Sequence, residues 1–126
     1  MIQITYSAGE KIRLTIKGHA ETQSPEHPNI ICAAVSTLFC TLANSLEYYG
    51  VPAEIKAEPG DSEIVCSNTH MARILFDMEM IGIEGIANAN PENVMLTAAG
   101  WGDKDTRERP QKGALYAQNV FQFAPF

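Results

Sequence analysis

From Met1 to Tyr6 apolar and polar residues alternate, with Ile2, Ile4 and Tyr6 on one side; from Lys11 to Lys17 they alternate again, with Ile12, Leu14 and Ile16 on one side. A period of two is that of a strand. The Ala8-Gly9-Glu10 turn between the runs makes them a β-hairpin with one buried face. The alternation stops at Gly18-His19-Ala20, and Glu21 to Asn29 is a polar loop with Pro25 and Pro28. From Ile30 the period lengthens. Ile31, Val35, Leu38, Leu42 and Leu46 recur every three or four residues, the apolar stripe of an amphipathic helix. Asn29 is suited to cap its start, Gly50 ends it and Pro52 prevents its continuation. A second hairpin follows, Ala53 to Glu58 and Ser62 to Cys66, around Pro59-Gly60-Asp61. A second helix is predicted from about Thr69 to Ala87, with Ile74, Leu75, Met78 and Ile81 as its stripe, Met71 before them and Ile86 after. Pro91 to Ala98 reads as a last strand with Val94, Leu96 and Ala98 inward. The order ββαββαβ predicts an α+β domain, an antiparallel-rich sheet with two helices.

Composition changes after Gly100. Residues 103–113 are dense in charge and include Pro110, and they lead to an apolar stub with Phe121, Phe123 and Phe126. The expected division is a folded domain over 1–100 and a charged linker with an apolar tail over 101–126. A chain of 126 residues, 45% of them hydrophobic, is long enough for one core without disulfides or a structural metal. Its formal net charge is −6, from 15 acidic and 9 scattered basic residues. That balance excludes a phosphate-binding stripe and argues against nucleic acid as a partner. An encounter with an extended basic peptide fits the sign better. The odd cysteine count (Cys32, Cys40 and Cys66) leaves a thiol unpaired and suits a reducing cytoplasm. The first residues have no signal-peptide pattern, and no run of 18 apolar residues predicts a membrane span.

The stretch with chemistry in it is Gly18 to Ser36, GHAETQSPEHPNIICAAVS. A thiol attacks as its thiolate. Two things favour that form: the positive end of a helix, and an imidazole that takes the proton. With Asn29 as cap, Cys32 falls in the first turn, and His19 reaches it if the loop folds back. Amides of that turn are then candidate oxyanion donors. Spacing alone leaves two readings open. A first-turn cysteine also serves as packing, and a strand-end histidine as a plain surface residue.

GHA, a polar loop and a helix opening CAAVS together resemble the ribosomal-processing cysteine protease family, Prp, over roughly Met1 to Ala98; IGIEGIANANPENV (Ile81 to Val94) supports the match. The resemblance implies a homodimeric α+β cysteine endopeptidase without a cofactor, with Cys32 as nucleophile and His19 as base. It implies that Asn29 and Ser36 line the substrate site. The substrate it implies is the precursor of a large-subunit ribosomal protein, from which a short N-terminal leader like NLQFFA is removed. For a phage-borne relative, it is a structural protein with such a leader. The family pattern has Asp three residues before the cysteine. Asn29 keeps the cap and loses the charge, which leaves a non-enzymatic peptide-binding module on the same fold as the alternative.

Cys40, about 80° around the helix from Cys32, and Cys66, at a strand end, are expected to pack. No CxxC or paired-histidine spacing points to a metal site, and His27 and His70 are expected to face solvent. The tail contains NVFQFA, Asn119 to Ala124, which resembles the same leader. It reads either as a built-in substrate mimic or as phenylalanines packed on the domain, and Pro125 disfavours cleavage after Ala124.

Overall fold

The computed structural model describes residues 1–20 and 29–101. The proposed mimic over 119–124 and His27 lie outside the described residues. The predicted order of elements is found: β1 (Ile2–Ala8), β2 (Lys11–Lys17), α1 (Ile30–Tyr48), β3 (Ala53–Glu58), β4 (Asp61–Ser67), α2 (His70–Ala89) and β5 (Val94–Ala99). The strands form one mixed sheet in the order β3-β4-β2-β1-β5. Three neighbouring pairs are antiparallel, and β5 alone runs parallel to its neighbour, β1.

The alternation seen in the sequence becomes one buried face. Ile2, Ile4 and Tyr6 of β1, Ile12, Leu14 and Ile16 of β2, Ile64 and Cys66 of β4 and Val94 of β5 join both helices in a single core. Intervening residues such as Gln3, Thr5, Lys11 and Arg13 are exposed on the opposite face. Trp101, just past β5, closes the core edge: its ring meets Tyr6 edge-on at 6.3 Å and its indole N–H donates to Glu84 at 2.8 Å.

α1 begins and ends as the sequence predicts. The Asn29 side chain accepts from the Ile31 and Cys32 amides. At the far end Gly50 has φ +69°, its amide donates to Glu47 and that of Val51 donates to Leu46, the paired bonds of a Schellman motif. By length and composition α1 is apolar enough to cross a membrane. Its apolarity has a use in the fold, since Val35, Phe39, Leu42 and Leu46 are buried in the core. Phe39 takes the place expected for Leu38, which instead packs beside Gly82 of α2.

The face of α2 corrects the expectation. Met71, Ile74 and Met78 are exposed, Met78 by 67%, and Leu75 and Ile81 are half-buried. The buried stripe is Ala72, Phe76, Glu79, Met80, Ile83, Ile86 and Ala87. Two apolar stripes compete on this helix. The expected one shares only Ile86 with the buried face, whereas the other runs just over four turns from Ala72 to Ala87 and carries Phe76, whose ring meets Tyr6 at 6.3 Å. The longer continuous stripe with the larger side chain removes more apolar area from water. Phe76→Ala is therefore expected to cost about 3–5 kcal/mol, and Met78→Ala less than about 1. Urea unfolding of the two variants checks the assignment, and the reverse ranking would restore the original stripe.

Candidate active site

The site lies where the end of β2 meets the first turns of α1. β2 stops at Lys17 because Gly18 turns the chain at φ +88°, and a side chain there would collide with the carbonyl oxygen of Met1. The Gly18 amide donates to the Gly60 carbonyl at 3.0 Å, and the nitrogen of Met1 donates to the His19 carbonyl at 2.7 Å. The backbone around His19 is thus held from both sides, by β1 and by the β3–β4 turn.

Cys32 is half-buried in the first turn of α1, as predicted. Its Sγ accepts from the Ala20 amide at 3.3 Å and lies 3.9 Å from the Ala20 carbonyl oxygen. Ala20 is buried, so the residue after His19 is pinned against the thiol. A cavity of about 360 Å³ brings His19, Cys32, Ser36 and Cys40 together. Ile2, Ile16, Val35 and Phe39 contribute apolar wall, and Ala57 to Gly60 with Ser62 supply the opposite side from the β3–β4 hairpin. That hairpin is braced by Lys56 to Asp61 at 2.6 Å and by Ser62 Oγ donating to the Glu58 carbonyl at 3.1 Å.

Of the sequence candidates, His19, Cys32 and Ser36 share this cavity. Asn29 supports it from behind as the cap. Two expectations change. Cys40 is exposed and lines the cavity instead of packing, because Phe39 has taken the core-facing position beside it. The first-turn amides expected as oxyanion donors are engaged: Ile31 and Cys32 donate to Asn29 Oδ1, and Ala33 donates to the Asn29 carbonyl. The Ala20 amide is the backbone donor that reaches the sulfur. Cys66 is buried in the core as expected, and burial pushes its thiol above its ordinary pKa, which disfavours its thiolate. His70 is exposed, also as expected.

Sequence reasoning missed Gly60. An ideal Cβ there would stand 2.5 Å from His19 Nε2 and 3.2 Å from both Cδ2 and Cε1, so the imidazole points end-on at this glycine. Gly60 announced itself only as a turn residue. Among the described residues, no group of three or more His, Cys, Asp and Glu side chains is arranged to hold a metal ion.

The family model for the cysteine protease Prp matches residues 1–95. The chain belongs to the Prp cysteine protease family. Solved structures of Prp have the same fold. S. aureus Prp with a covalently linked product peptide superposes with a TM-score of 0.68 at 20% identity, covering 78% of this chain and 99% of that one. S. aureus Prp with a substrate peptide gives 0.67 at 19% identity, with the same coverage. SMU.848 from Streptococcus mutans gives 0.60 at 27% identity, covering 79% and 94%. No curated protein sequence matches. The Prp match covers the GHA segment and the whole of α1, so the cavity lies entirely within the Prp-like region.

Proposed function

We propose that this Prp-family chain is a cysteine endopeptidase in which Cys32 is the nucleophile and His19 the base, removing a short N-terminal leader from a ribosomal protein or a phage structural protein. The observation that carries the reading is the placement of both side chains on one cavity, with a buried backbone amide 3.3 Å from the sulfur. Cys32 Sγ attacks the scissile carbonyl carbon and its proton passes to the imidazole. His19 then returns the proton to the leaving amine, and water releases the acyl group from sulfur. The Ala20 amide donates to the sulfur and so favours its thiolate form.

The apolar wall of Ile2, Ile16, Val35 and Phe39 suits a leader residue such as phenylalanine. Glu58 at the same cavity suits a neighbouring basic residue. Ser36 completes the substrate side of the site while Asn29 holds the start of α1 behind it, and the chain acts as a cytoplasmic homodimer. The test is incubation with a peptide bearing NLQFFA ahead of a basic stretch, read by mass. Cleavage at one bond after the leader is expected. An intact peptide that nonetheless binds would turn the reading to the peptide-binding module that the missing Asp at position 29 suggests.

A further inference from the structure

We infer that Gly60 is a positioning residue for His19: the bare Cα of the β3–β4 turn forms a seat for the imidazole tip, and any side chain there displaces the ring. The inference rests on the reading of His19 as the base.

Three observations carry it. The first is the end-on approach. Nε2 lies nearest the position a Cβ would take, with Cδ2 and Cε1 equidistant behind it, so the ring meets Gly60 tip first and Nδ1 lies at the opposite edge. A Cβ at 2.5 Å is inside van der Waals contact, and the atom in its way is the far end of a side chain able to rotate. The ring therefore yields before the backbone does. The second is that turn and histidine are tied by main chain, Gly18 N–H to Gly60 O at 3.0 Å, so the seat moves with the segment that carries His19. The third is that the hairpin holding Gly60 is braced on both sides of the turn, by Lys56 with Asp61 and by Ser62 with Glu58. A general base must stay within hydrogen-bond reach of the proton it takes. A ring on an exposed strand end has wide rotamer freedom, and the seat restricts it.

Gly60 also has φ +71°, so a substitution combines two effects, backbone strain and crowding. Gly50 separates them. Its φ is +69°, and nothing lies within 4 Å of the position its Cβ would take. Asn tolerates this backbone region. Gly60→Asn and Gly50→Asn thus carry the same strain, and only the first meets an imidazole.

The experiment compares both variants with wild type by thermal unfolding, by kcat and KM on the leader peptide across pH, by the rate of Cys32 alkylation with iodoacetamide across pH, and by the NMR signals of the His19 ring. The two variants are expected to unfold within a few degrees of each other. Gly60→Asn is expected to lower kcat at least tenfold, to alter the pH profile of alkylation and to shift the His19 ring signals. Gly50→Asn is expected to keep kcat, both profiles and the ring signals. Equal kcat in the two variants would overturn the inference. So would a loss confined to KM with the alkylation profile unchanged, because that is obstruction of substrate. If wild type cleaves no peptide, the catalytic reading fails by itself. The seat is then decided by the ring signals, which move in Gly60→Asn alone if it exists and stay unchanged if it does not.

Discussion

Cys32→Ser is expected to abolish peptide cleavage, with kcat reduced by about 10⁴ or more, while the leader peptide still binds. Serine keeps the size and an acceptor for the Ala20 amide, so the fold and the cavity survive. What disappears is the nucleophile, because a hydroxyl on α1 is not deprotonated by an imidazole as readily as a thiol. His19→Ala should cost nearly as much, and the double variant little more than either alone, since two residues that act as one unit lose their effect together. Single-turnover cleavage read by mass, with calorimetric binding of the same peptide, checks all three. Cys40→Ser is the control: it removes the other thiol of the cavity and should leave kcat within a few-fold. A large loss in Cys40→Ser with an active Cys32→Ser would move the nucleophile about two turns along α1.

Glu79→Gln is expected to stabilise the protein by several kcal/mol at pH 8 and to change little at pH 4. Glu79 is 4% exposed on the core face of α2, and its Oε2 is buried without a hydrogen-bond partner among the described residues. Burial alone pushes its pKa from 4.5 to about 8. A carboxyl that burial takes out of water stays protonated while the unfolded chain ionises. The sign follows from the protons bound. Between about pH 4.5 and pH 8 the native state holds one more proton than the unfolded state, so stability falls as pH rises through that window. Gln keeps the shape and removes the titration. The difference in melting temperature between variant and wild type should grow across the window to more than about 10 °C, given about 4–8 °C per kcal/mol for a domain of this size. Taking the difference cancels the carboxylates common to both proteins. A difference independent of pH would show that Glu79 is ionised in the native state.

The two expectations concern one helix face read correctly and one read incorrectly, and the contrast is instructive. In α1 the stripe of Val35, Leu42 and Leu46 was legible, with its Asn29 cap and its Gly50 stop, because each signal is local and the helix offers one dominant apolar face. In α2 the period was equally clear, yet it marked a face that is largely exposed. Met71, Ile74 and Met78 recur as regularly as Ala72, Phe76 and Met80. A carboxylate at Glu79 argued against the stripe that the fold in fact buries. Periodicity finds that a helix exists, and with two stripes available only the partner surface selects between them. Here Tyr6 on β1 supplies the contact for Phe76.

The site divides in the same way. His19 and Cys32 were candidates because GHA and CAAVS resemble the Prp family's motifs; residue type and position at a strand end and a helix start left packing and surface readings open. Gly60 and the Ala20 amide were invisible. One came from a distant hairpin turn; the other is backbone, and no side-chain pattern reports it.

The amino-acid sequence by itself determined the seven elements, their order and the inward residues of β1 and β2, since these follow from periods of two and 3.6, caps and turn residues within a few positions of one another. For β5 it was right for Val94 and not for Ala98, which is exposed, and it singled out His19 and Cys32 as candidates only through the resemblance to the Prp family. Only the tertiary structure decided the strand order, the parallel pairing of β5 with β1, the inward face of α2 and the cavity in which His19 rests against Gly60 while Cys32 meets Ala20. Those depend on contacts between residues far apart in the chain. Their selection lies in how whole surfaces fit, which a local pattern of apolar and polar positions does not encode.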